Sequence, residues 1–251
     1  NKAGEKVKQQ FDGLIKTNAD NTLAVFNPLA FERTDVVRLE QSDEDFYLID
    51  NVNGASVPTQ RMPDGSTIFV ASGIPSLGYK TYKIIDGKSP ENSKSLIIGK
   101  NVLENRFYKI LFDTKTGCIS SIYDKELNKE LVDAKSEYNV GEYIYNYVTE
   151  KEEDFRIESA ELSSTKGAVS AVMFAKIKAK GIKSIQQMVI LYDNIKRIDF
   201  VVDMDKAPSM TRHEDYVTSN KWGKESVYFA FPFNVKDFTI KHDLSGTVVE
   251  P

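Results

Sequence analysis

The hydrophobic period of the chain changes once, near residue 20. Before that point Val7, Phe11, Leu14 and Ile15 recur at helical spacing on one face, with Lys6, Lys8, Gln9 and Asp12 elsewhere. This pattern predicts a short amphipathic helix, ended by Asn18-Ala19-Asp20-Asn21. A helix of this kind must bury its apolar stripe, so residues 1–20 read as the tail of a preceding helical domain. From Leu23 onward the period is two. Leu23–Phe26, Asp35–Leu39 and Thr67–Ala71 are rich in β-branched and aromatic residues. Along Tyr79–Ile84, Tyr79, Thr81 and Lys83 fall on one face and Lys80, Tyr82 and Ile84 on the other. The same alternation recurs in Phe107–Phe112 and Ala175–Lys180. Period two with one polar face predicts antiparallel strands.

Turn signals separate these runs: Asn53-Gly54, Pro63-Asp64-Gly65, Asp86-Gly87, Thr116-Gly117 and Lys180-Gly181. Many short strands punctuated in this way predict a mostly β chain folded as an antiparallel β-sandwich. Two segments break the rhythm. Asp86–Ser95 is polar and contains Gly and Pro, and reads as a linker between a small β-sandwich domain (21–86) and a large one (96–251). Asp205–Lys224 offers only Met210, Tyr216, Val217 and Trp222 for burial, and reads as a long excursion between two strands. Asn1 opens inside the helical pattern and Pro251 follows a strand-like run. The expectation is a piece of a longer polypeptide, with the large domain truncated at its C-terminal end.

Composition narrows the function classes. A chain 41% hydrophobic and 28% charged has the balance of an ordinary globular protein and is long enough to bury a core without staples. The net charge is -4 and no Lys/Arg block stands out, which argues against a nucleic-acid partner. The longest apolar runs, such as Val169–Ala175, are far short of the ~20 residues of a spanning helix. The single cysteine, Cys118, can form no internal disulfide. It lies in a strand-like run and reads as a packing residue. A lone cysteine fits a reducing compartment, so the cytoplasm is the expected location.

The residues supply little catalytic chemistry. A zinc site takes three or four Cys, His or carboxylate ligands, and the chain has one Cys and two His. His213 in Arg212–Asp215 and His242 in Lys241–Asp243 have no partner at ligand spacing, and read as surface histidines. Asp203 and Asp205 would share a face of a strand, but such i, i+2 pairs are ordinary and no acid/base role is assigned to them. Lys151–Asp154 reads as a solvated charged loop. Ser120-Ser121 lacks the glycines of a nucleophile elbow. No catalytic residue and no metal site is expected in this chain.

Four phrases, in order, carry a resemblance. They are Val25-Phe26-Asn27-Pro28-Leu29-Ala30-Phe31-Glu32-Arg33, Pro75–Tyr82, Leu103–Asp113 with Gly117–Lys125, and Lys224–Phe233. Together they resemble the C-terminal β-sandwich region of glycoside hydrolase family 38, the α-mannosidase family. Each phrase also has a structural reading. Pro28 moves Asn27 out of the helical region and ends a strand. Gly117 turns Phe107–Phe112 back onto Ile119–Tyr123 as a hairpin. Pro232 removes a backbone donor, so its strand lies at an edge or ends there.

The resemblance implies a mutarotase-like supersandwich. It also implies a retaining α-mannosidase, whose chemistry needs a carboxylate nucleophile and a carboxyl acid/base. It places the nucleophile, and most ligands of a zinc ion, in an N-terminal catalytic barrel, with a further His ligand between the barrel and this chain. The expected partners are therefore that barrel, a helical bundle of the same polypeptide and a mannoside, with no cofactor in this chain. Val140–Asn146 resembles, more loosely, a stretch from which a tyrosine reaches the active site, which would be Tyr143. The other reading of Tyr143, Tyr145 and Tyr147 is an aromatic strand face. Trp222 is the second candidate sugar contact, or else the anchor of its loop. A free-standing carbohydrate-binding module, which would need exposed aromatics, and a protein-interaction sandwich are the alternatives.

Overall fold

The computed structural model describes residues 21–40, 45–88, 95–148, 152–208, 224–239, 241–244 and 247–249. The expected N-terminal helix, the middle of the linker (89–94) and most of the excursion (209–223), with His213 and Trp222, lie outside the described residues. Among the described residues every regular element is a strand, and every pairing given is antiparallel. The chain is mostly β.

Two compact units are present. In its described part the first comprises 21–88 together with Lys166–Ser170 and Tyr192–Ile195. The second takes Ser95–Thr165, Ala171–Leu191 and the chain from Lys196.

The first unit holds β1 (Thr22–Asn27), β2 (Arg33–Leu39), β3 (Phe46–Asp50), β4 (Ser56–Val57), β5 (Thr59–Arg61), β6 (Thr67–Ile74) and β7 (Gly78–Asp86). They form two sheets, β1-β7-β3-β4 and β2-β6-β5. Leu48, Phe69, Ala71, Ile74 and Tyr82 make the core, with the Phe69 and Tyr82 rings edge-on at 5.5 Å. Burying a side chain the size of Leu48 or Phe69 contributes about 2 kcal/mol. The alternation along β7 is as the sequence predicts, with Tyr82 buried and Tyr79 and Lys83 exposed. β1 ends at Asn27, before Pro28. The buried Asn27 amide donates to the carbonyls of Phe31, Ile74 and Pro75, and its Oδ1 accepts from the Leu29 amide. These bonds hold two loops together. They also support Leu77, a non-glycine residue at φ 47 whose amide donates to the Leu29 carbonyl.

In the second unit β8 (Ile97–Ile98), β9 (Val102–Glu104), β10 (Tyr108–Phe112), β11 (Ile119–Asp124) and β12 (Lys129–Glu130) form one sheet. A second consists of β13 (Glu142–Val148), β14 (Glu152–Phe155) and β19 (Lys224–Ala230) in the order β14-β13-β19. A third, β15-β16-β17-β18, is built from β15 (Ile157–Lys166), β16 (Ser170–Ala179), β17 (Ile182–Tyr192) and β18 (Ile198–Lys206). β20 (His242–Leu244) and β21 (Thr247–Val249) pair as a hairpin.

The third sheet is the floor on which the other two lie. Ala171, Met173, Val189 and Leu191 share a core with Leu103, Ile110, Phe112, Ile119 and Ile122. Further along the same strands, Ala175, Ile177 and Ile185 share a core with Tyr143 and Tyr145. Bridges between Ile119 and Val140 and between Val132 and Phe233 join the two upper sheets edge to edge. The result is a two-layer antiparallel sandwich.

The β10–β11 hairpin shows how local sequence sets this geometry. Gly117 has φ 74, and a Cβ there would lie 2.8 Å from the Ala175 Cβ and 2.9 Å from the Ala160 Cβ. Glycine is therefore required both for the turn and for the close approach. Asp113 Oδ1 accepts from the amides of Lys115 and Thr116 and from the Thr116 hydroxyl. These bonds favour the carboxylate, so Asp113 is held below the ordinary aspartate value of 3.8, chiefly by the Thr116 amide. Asp64 in the Pro63-Asp64-Gly65 turn is lowered in the same way, first by the Ser66 hydroxyl.

A depressed carboxylate pKa contributes stability that is present above the unfolded value and is lost as pH falls through the lower folded value. Acidification from about pH 7 to about pH 2 is therefore expected to lower the urea midpoint, and Asp113→Asn to reduce the drop. An equally acid-sensitive Asp113→Asn chain would remove Asp113 from this account.

Candidate functional site

β13 carries the sequence-predicted site residue Tyr143, and its surroundings define the candidate region. As the middle strand of its sheet it is paired along both edges, and residues on both of its faces are buried. Tyr143, Tyr145 and Tyr147 lie on one face by strand alternation, and Tyr143 and Tyr145 belong to the core. Tyr143 stands opposite Phe229 in the ladder, with their rings edge-on at 6.0 Å. Tyr145 meets Phe155 at 6.1 Å and Tyr147 at 6.4 Å. Tyr143 is fully buried and its hydroxyl donates to the Lys180 carbonyl at 2.9 Å. Burial pushes its pKa up to about 12, so it remains a neutral donor across the physiological range. Tyr145 is raised as well, by burial first and then by its hydrogen bond to Glu225. Glu225 also pairs with Lys206 at 2.7 Å.

Glu142, on the opposite face of β13, is 2% exposed. Its carboxylate accepts from the Asn139 amide at 2.8 Å and from Arg156 Nε at 2.7 Å and Nη2 at 2.6 Å. Arg156 also donates to the Glu137 carbonyl and lies 4.7 Å above the Tyr138 ring. Buried Gln187, on β17 between Ile185 and Val189, donates to the Gly141 carbonyl at 2.7 Å. The sequence reading passed over Glu142, Arg156 and Gln187. For Gln187 a signal existed: it is a polar residue at an inward position of the stripe Ile185-x-Gln187-x-Val189-x-Leu191.

Residues 103–250, more than half of the chain, match the glycosyl hydrolases family 38 C-terminal domain. The chain belongs to this family. Comparison with curated proteins gives no match. The family 38 domain takes in the hairpin of β10 and β11, the tyrosine strand β13 and the edge strand β19.

Within the family 38 domain the other sequence candidates fall as follows. Ser120 and Ser121 are β11 residues whose hydroxyls bond the Leu111 carbonyl and Glu130. Asp203 and Asp205 are exposed on one face of β18, and Asp205 pairs with Lys183 at 3.4 Å. His242 lies in β20, opposite Val249. Among the described residues no three His, Cys, Asp or Glu side chains gather as a metal site.

Within the charged run expected as a loop, Glu152–Asp154 is strand: Glu152–Phe155 is β14 and pairs with β13. Its exposed charges, Glu153 and Asp154, suit an edge strand, where they discourage pairing with another chain.

Cys118 is buried against the tyrosine core, and burial pushes its thiol up to about 12. It is expected to resist a thiol reagent such as DTNB in the folded chain and to react fully in denaturant. Rapid labelling without denaturant would contradict the burial.

β19 is the edge strand and ends at Ala230, before Pro232, as its proline predicts. From there the chain displays apolar side chains. Tyr228, Phe231, Phe233, Val235 and Phe238 are all exposed. The Phe231 ring lies 5.4 Å from Phe200 and 6.3 Å from Phe233.

Proposed function

We propose that the family 38 domain of this chain is a non-catalytic supporting part of a retaining α-mannosidase. The observation that carries the reading is the family match over 103–250. In this reading the partners are a catalytic barrel and helical bundle of the same polypeptide, and the substrate is a mannoside. The nucleophile, the acid/base and a zinc ion belong to the barrel. The exposed rings of Phe231 and Phe233, 6.3 Å apart, with exposed Tyr228, Val235 and Phe238 nearby in sequence, support a docking role, since exposed apolar side chains that cluster mark interaction sites.

Sugar contact by the sandwich is the finer part of the proposal, through Tyr143 and Trp222. Tyr143 is buried in the ladder opposite Phe229 of β19 and its hydroxyl donates to the Lys180 carbonyl, so in this reading its part in a site is to position β13.

The test is reconstitution. The chain alone is expected not to hydrolyse an aryl α-mannoside. A separately produced barrel with its bundle is expected to gain activity when the chain is added, and less when Phe231→Glu and Phe233→Glu are present. A barrel equally active without the sandwich would sink the supporting role. The same exposed rings favour a second reading, a carbohydrate-binding module, because aromatic faces pack on apolar surfaces of a ligand while its polar edges stay wet. Saturable α-mannoside shifts at Phe231 and Phe233 in the isolated chain would select that reading.

A further inference from the structure

The first unit contains a cleft of about 210 Å³ that the proposed function does not use. Val57, Val70 and Val169 form apolar walls, and Ser72, Asp193 and Asn194 supply polar groups. The rim is held in place by long-range bonds. Gln60 Oε1 accepts from the amides of Val169 at 2.9 Å and Ser170 at 2.7 Å. The Asp193 amide donates to the Val169 carbonyl at 3.0 Å, which ties the two rim segments to each other. Gly167 allows this clamp to close, since a Cβ there would lie 2.4 Å from Gln60 Cδ. A polar side chain that fixes two consecutive amides of a remote loop pre-organises the cleft, and pre-organisation lowers the cost of binding.

The lining defines the ligand class. Asn194 Nδ2 donates to Asp193 Oδ2 at 3.0 Å, which sets a carboxylate beside an amide on one wall. An amide both donates and accepts, a carboxylate accepts, and the Ser72 hydroxyl does both. Such a set matches adjacent hydroxyl groups, each of which needs a donor and an acceptor. The valine walls match a face of C–H groups. The volume lies below the usual range for drug-sized ligands, about 300–1,000 Å³, and suits one sugar ring rather than a chain.

We propose that this cleft binds a single neutral pyranose, with its ring face on the valines and its hydroxyls on Asp193, Asn194 and Ser72. The site is separate from the mannosidase reading and does not depend on it.

The test is a titration of the whole chain with methyl α-D-mannopyranoside, glucose and glycerol, followed by amide shifts. A saturable response with a Kd of about 1 mM for at least one of the two sugars, centred on Val57, Val70 and Asn194, is expected. Asn194→Ala should weaken it roughly tenfold, the loss of about 1.4 kcal/mol. Ser72→Trp, which fills the cleft from an exposed position, should abolish it while the remaining spectrum shows the fold intact. The proposal is overturned if neither sugar shifts these amides, if glycerol does so as well as they do, or if Ser72→Trp leaves the response unchanged. The hydrolysis and reconstitution assays read the other proposal separately. Loss of reconstitution with this binding intact would remove only that one.

Discussion

Replacing Tyr143 with alanine is expected to destabilise the family 38 domain by about 4 kcal/mol, and replacing it with phenylalanine by about 1 kcal/mol. The ring is fully buried and packs edge-on against Phe229, so truncation leaves a cavity between the tyrosine strand and the floor sheet. Large aromatic truncations in cores cost about 3–5 kcal/mol because the surroundings collapse only in part. The phenylalanine variant keeps the packing and loses the bond to the Lys180 carbonyl. The net worth of such a bond is about 1 kcal/mol, somewhat more when the acceptor is left without water. Urea midpoints of the two variants measure both numbers. The pair also separates the two roles given to this residue. A positioning residue loses activity in the reconstituted enzyme in step with stability. A residue that touches sugar loses kcat/KM in Tyr143→Phe while the urea midpoint barely moves.

Arg156→Ala is expected to cost about 2 kcal/mol, less than for a pair buried on both sides because Arg156 itself is exposed. It removes both donors from Glu142 Oε1 and leaves a carboxylate that is 2% exposed with the Asn139 amide at its other oxygen. Breaking a buried pair from one side is costly because a desolvated charge stays behind. Glu142→Gln added to Arg156→Ala should recover part of the loss, since the residual charge is gone. A double-mutant cycle then reads the coupling directly. If the double variant were no more stable than Arg156→Ala, the loss would come from the Arg156 guanidinium over the Tyr138 ring rather than from the stranded charge.

The two predictions sit on different faces of β13, and the sequence exposes those faces unequally. The row Tyr143, Tyr145, Tyr147 is visible as alternation, and an aromatic strand face was one of its two readings. The face bearing Glu142 and Asn146 looks polar and therefore solvated. It is buried, and its polar groups find partners in Arg156 and Asp154, which come after the next strand segment and within it. A carboxylate in a sequence carries no mark of the arginine that will neutralise it. The same holds for Glu152–Phe155, whose charge density reads as a loop until β13 is there to pair with it.

Local stereochemistry, in contrast, was legible. The turn glycines Gly54, Gly65, Gly87, Gly117 and Gly181 all adopt positive φ. Asn27-Pro28 ends its strand, and the alternating runs at β7, β10 and β16 bury the faces their patterns indicate. Strand identity, turn position and family are written in short stretches of chain because each depends on neighbours within a few residues. Contacts far apart in sequence are not written there. Gln60 holds Val169 and Ser170 from more than a hundred positions away, and Gln187 reaches the Gly141 carbonyl across 46. The cleft beside Val169, the pairing of buried Glu142 with Arg156 and the close approach at Gly167 exist only once packing has brought those groups together. Burial and pairing are properties of the assembled neighbourhood, and no single residue carries them.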